Sequence, residues 1–211
     1  MKQWPKALTI HIQPYYSLYV FLFVLFLIGV IFGSMMVSSL NFLQRQDLFF
    51  FVEQYFHTLS EQPTGSYLAV FWDALWTHGK YITFLFLFGL SFVGLPVVWF
   101  LLFVKGVVIG FTVGFLVNQL SWQGFLLSVM SIAPQNLLIV PAYLIIAASS
   151  MVFTIHVLRI LFVKHQSSNT ISDVSVFYIR SYIVALLLVG VGSVLETFVS
   201  SNMLEWIVSS L

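Results

Sequence analysis

Five histidines, at positions 11, 57, 78, 156 and 165, are the side chains best suited to acid, base or metal chemistry, and their spacing excludes most of it. No two stand four apart and none shares an HExxH frame with a glutamate, so no ligand pair is built into one helix face. The absence of cysteine removes a thiolate ligand, a thiol nucleophile and a disulfide together. There is no GxSxG elbow and no glycine loop closed by Lys and Ser or Thr. These residues predict a non-enzymatic chain with no metal site and no cofactor.

What remains is a small set of polar groups inside apolar sequence. Charge in hydrocarbon is costly, so each is read first as a functional group. Glu196, in Val194–Leu195–Glu196–Thr197, has a short side chain and is expected to make a polar contact inside the protein or to line a cavity. Lys105 and Arg180 have long stems, and snorkelling to an interface accounts for both. Gln135 and Asn136 close an amide-flanked segment that starts at Asn118 and Gln119.

The elements that must position these groups follow from composition. With 60% hydrophobic residues, 7% charged residues and a mean hydropathy of +1.02, the chain has too little polar surface to cover a water-facing globule. It reads as one all-α, polytopic membrane helix bundle whose principal partner is the lipid bilayer. The net charge of +1 and the lack of a basic stripe exclude nucleic acid.

About 20 apolar residues cross the hydrocarbon as a helix. That length predicts five spans, at about 15–38, 81–104, 106–120, 137–163 and 175–197. The first is too long for a signal-peptide core and lacks a small-x-small cleavage site, so it is expected to be retained. With the N-terminus cytoplasmic and the C-terminus extracytoplasmic, Lys2, Lys6, Lys105, Arg159, Lys164 and Arg180 fall inside, against Arg45 and Lys80 outside. This is the sense of the positive-inside rule, and four or six spans would break it.

Between the first two spans, 40–80 is the one sizeable segment outside the bilayer. It carries two amphipathic patterns separated by Pro63, Thr64 and Gly65. Phe49, Phe56, Trp72 and Trp76 give it more aromatic surface than a connection needs, so these residues are the candidates for docking a partner. The segment 121–136 is too short to span and is expected to be interfacial or re-entrant, while Pro141 should kink the fourth span.

Gly106, Gly110 and Gly114 form a ridge at four-residue spacing, and Gly29 and Gly33 repeat it in the first span. Such grooves let helix backbones meet closely in lipid. A crossing within the chain is the favoured use; a homo-oligomer seam is the alternative.

The blocks LPVVWFLLFVKGVVIGFTVGFLVNQL, APQNLLIVPAYL and VLETFVSSNM resemble the stage II sporulation protein M family, in length, span count and block order. Pro134, Pro141 and Glu196 match its pattern, whereas Gln135 and Val140 stand where the wider family often has His and Glu. The resemblance implies a mother-cell septal membrane protein that anchors the peptidoglycan hydrolases called stage II sporulation proteins D and P during forespore engulfment. A small transporter or channel subunit, with a pathway near Gln135 and Glu196, is the alternative.

Overall fold

The computed structural model describes residues 15–61, 67–162 and 171–210, in which the elements are six α-helices and no strand occurs among the described residues. They are α1 (Tyr16–Ser38), α2 (Phe42–Glu61), α3 (Tyr67–Gly89), α4 (Gly94–Ser131), α5 (Ala133–Phe162) and α6 (Ile171–Ser210). Four of them, α1, α4, α5 and α6, are long and apolar enough to cross a membrane. Lys2, Lys6, His11, Pro63, Lys164 and His165 lie outside the described residues, as does the side chain of Phe56.

The pairing of α1 with α4 organises the molecule. Gly29 and Gly33 of α1 face Gly106 and Gly110 of α4 with backbone against backbone. A side chain at Gly29 would strike the Phe103 carbonyl and one at Gly33 that of Val107; Gly106 and Gly110 would strike the carbonyls of Phe26 and Val30. Gly114 continues the seam, where a methyl group would come within 3.0 Å of the Ser34 Cα. Without bulk between them, many weak dispersion contacts add along the crossing. Phe21 meets Trp99 edge-on at 5.4 Å at the start of this seam.

Positions rise together along the two helices, from Phe21 with Trp99 to Ser34 with Gly114, so α1 and α4 run parallel. Their far ends are pinned by Arg45, whose guanidinium donates to the carbonyls of Leu40 at 3.1 Å and Ser38 at 3.2 Å, and to Asn118 Oδ1 at 3.3 Å. A parallel pair requires the chain to travel back between them. That return is α3, which runs alongside α5 and antiparallel to α6: Thr154 donates to the Gly89 carbonyl at 3.0 Å and Tyr178 to that of Phe86 at 2.8 Å. The core fills the space between α3, α4, α5 and α6 with Ile82, Leu85, Leu102, Ile139, Tyr143 and Val189.

Two helix boundaries correct the sequence reading. The expected spans 81–104 and 106–120 divide at the wrong place, because α4 runs unbroken through Lys105 and Gly106 and the break falls at 90–93. Apolar residues continue across both positions, so hydropathy alone could not tell a turn from a helix interior. Glycine at 106 is there for close approach, not for a turn. Lys80 likewise lies in the body of α3 and not at an outer boundary.

The bend in α4 comes later, at Ser121, where φ is 50° and ψ is −122°. Beyond it the chain folds back so tightly that a side chain at Gly124 would strike the Leu116 carbonyl. Pro141 sits within continuous α5, on its exposed side.

Candidate functional site

One turn of α4 serves two purposes. Gly106 lies against α1, and Lys105, one residue and about 100° round the helix, points instead toward α3 and α5. Its ammonium lies 5.6 Å from the Tyr81 ring centroid and 5.3 Å from that of Tyr143, a cation held over two aromatic faces. Lys105 was expected to snorkel from a turn; the unbroken helix puts it in the interior, where tyrosine faces take the place of water.

The same space holds His78 of α3, Tyr143 of α5 and Glu196 of α6. His78 Nε2 is 3.1 Å from Glu196 Oε2, and Nδ1 is 2.8 Å from the Tyr143 hydroxyl. A carboxylate can only accept, so the hydrogen on Nε2 is fixed by its partner; Nδ1 then receives the Tyr143 hydrogen when the ring is neutral. Tyr81, one helical turn after His78, donates its hydroxyl to the Leu101 carbonyl. Glu196 also acts electrostatically on Lys105. Four helices thus each contribute to one network: His78 and Tyr81, Lys105, Tyr143, and Glu196.

The network is deep. His78 and Lys105 each stand eleven residues from the turn at 90–93, about 16 Å along their helices. Tyr143 is fully buried and His78 is 8% exposed, while the Glu196 side chain keeps 24%. Lys105 and Glu196 bring opposite charges to the network. Chemically the arrangement can hold helices together, orient a histidine, or exchange a proton between hydroxyl and ring. Ser193, three residues before Glu196, has a buried hydroxyl with no hydrogen-bond partner.

The other expected residues lie elsewhere. Arg180 is exposed on the outer side of α6. Gln135 and Asn136 sit at the start of α5, where Asn136 Nδ2 donates to the Ile132 carbonyl at 2.8 Å, a local cap with no part in the buried network. Phe49 on α2 and Trp72 and Trp76 on α3 are exposed, with Lys80 Nζ 5.4 Å from the Trp76 ring. At the Arg45 end a cleft of about 720 Å³ is lined by Phe42, Asp47, Phe49, Asn118 and Gln119 among others.

Spacing could not reveal the role of His78, because its carboxylate partner is 118 residues away and its tyrosine partner 65. The available signal was a histidine followed by lysine and tyrosine inside a segment otherwise apolar enough to enter a bundle.

No curated protein and no solved structure matches the chain. A family model described as stage II sporulation protein M matches residues 22–201, from within α1 to beyond the buried network, so the chain belongs to that family and is a sporulation-related, multi-pass membrane protein.

Proposed function

We propose that this protein is a non-enzymatic membrane anchor that positions peptidoglycan hydrolases during forespore engulfment, in the septal membrane of the mother cell. Stage II sporulation proteins D and P are the partners that the family resemblance suggests. In this reading five helices cross the bilayer, with the N-terminus cytoplasmic, the C-terminus on the wall side, and α2 at the wall-side surface.

The observation that carries the reading is the condition of α2. Among the described residues it is tied to the bundle chiefly at its first turn, where Arg45 reaches Ser38 and Asn118, yet it presents Phe49, Phe50 and Phe51 to the outside. Exposed aromatic surface on a loosely held helix is the kind of patch that a partner covers. Trp72, in the first turns of α3, is exposed as well.

The test is replacement of Phe49, Phe50 and Trp72 by serine in sporulating cells. The variant is expected to reach the membrane at normal abundance and to lose the hydrolases in co-purification. Retention of the hydrolases by a stably inserted variant would overturn the docking reading.

A small transporter or channel subunit is the second reading, and the half-buried ionisable side chains of Lys105 and Glu196 favour it, together with the unpartnered Ser193 hydroxyl. An ion pathway would make Glu196 essential for flux through proteoliposomes. No flux above that of protein-free vesicles would remove it.

A further inference from the structure

The helix α3 is the exception among the five that build the bundle. It is not one of the helices apolar enough to cross a membrane, and it carries Asp73, His78 and Lys80 within 23 residues. Nevertheless it returns the chain between the parallel α1 and α4.

Among the described residues, its polar ties to other helices all run to helices made later in the chain. His78 bonds to Tyr143 and Glu196, Tyr81 to the Leu101 carbonyl and Thr83 to the Tyr182 hydroxyl at 3.0 Å. The carbonyls of Phe86 and Gly89 accept from Tyr178 and Thr154. From Tyr81 to Gly89 α3 is free of charged and ionisable groups other than the Tyr81 hydroxyl. The turn around His78 is not: a histidine and the neighbouring lysine of α4 need an acceptor and a counter-charge, and Glu196 supplies both.

We propose that α3 is a conditional span: the stretch around His78 occupies the bilayer only while Glu196 of α6 closes the network, and it moves to the water-facing surface when that carboxylate is lost. This rests on the five-crossing reading. Insertion of α3 is accordingly completed after α6 has arrived, and Glu196 is the lock.

The natural lack of cysteine supplies a clean background, and two glycines supply reporters. A side chain at Gly79 or at Gly190 meets no atom within 4 Å, so Gly79→Cys in α3 and Gly190→Cys in α6 both fit. The full chain in proteoliposomes is treated with a hydrophilic maleimide on both faces. In the parent background both thiols are expected to be protected.

With Glu196→Ala, the Gly79→Cys thiol should react about tenfold faster or more, while Gly190→Cys stays protected. Adding His78→Leu and Lys105→Met to Glu196→Ala should return Gly79→Cys to the protected state, because a network without ionisable His, Lys or Glu needs no lock. Equal protection of Gly79→Cys with and without Glu196 overturns the conditional span while leaving five crossings intact. Exposure of both reporters together also overturns it, since the carboxylate would then hold the whole bundle. A Gly79→Cys that reacts in the parent removes the five-crossing reading itself, and the proposal with it.

Discussion

At the scale of the residue, the molecule depends on a few positions where either no atom or one particular atom can stand. Gly110 is of the first kind. Gly110→Val would drive a branched side chain into the Val30 carbonyl and should cost about 2–4 kcal/mol, read as a lowered thermal midpoint in detergent. Gly190 is the control: Gly190→Ala meets open space and should gain roughly 0.5–1 kcal/mol from helix propensity. Both are glycines inside apolar helices, and the presence of a partner helix at Gly110 alone distinguishes them.

Glu196 is of the second kind. Glu196→Ala leaves His78 Nε2 without its acceptor and the nearby Lys105 without an opposite charge and should cost about 3 kcal/mol, while Tyr143→Phe removes one neutral hydrogen bond and should cost roughly 1 kcal/mol. Thermal unfolding of the two variants side by side checks the order; equal losses would mean that Glu196 is not the anchor of the network. The sequence singled out Glu196 and Lys105 as costly groups in apolar surroundings but did not join them. Depth along a helix is legible in sequence, whereas the neighbour on another helix is not.

At the scale of the element, α4 illustrates how a hydropathy profile misplaces a break. Leu90–Val93 and Lys105–Gly106 both interrupt or flank apolar runs, and only the first is a turn. The backbone conformation that does demand a special residue is at Ser121, where positive φ disfavours any side chain and a β-branched one most. Ser121→Gly should stabilise by roughly 0.5–1 kcal/mol and Ser121→Val destabilise by about 1–2 kcal/mol, measured by thermal unfolding. Identical midpoints would show that the bend relaxes freely. The sequence places a boundary here, since the apolar run expected to span ends at 120 and a segment too short to span begins at 121; the close return of Gly124 onto Leu116 is what the structure adds.

At the scale of the whole molecule, parallel packing of α1 and α4 constrains topology more tightly than charge does. Two of the lysines counted in the positive-inside tally, Lys80 and Lys105, belong to helix interiors and carry no weight in it. Orientation therefore rests on the basic residues that remain, and reporters decide it. An insertion at Ser91, in the turn between α3 and α4, should be labelled only from the cytoplasm, and one at Gln44, beside the Arg45 cluster, only from the wall side. Both labels from the same face would refute α3 as a crossing helix.

The amino-acid sequence by itself determined that the chain is helical, that it lives in lipid, that glycines mark its closest packing and that its family is the stage II sporulation protein M family. These are properties of composition, period and local block, which a linear reading preserves. Only the tertiary structure decided that α1 and α4 pack on each other through those glycines, that Lys105 is interior, and that His78, Tyr143 and Glu196 meet. Each is a relation between helices far apart in the chain. In a sequence whose spans are nearly uniform in hydropathy, no local signal says which face of one helix will meet which face of another.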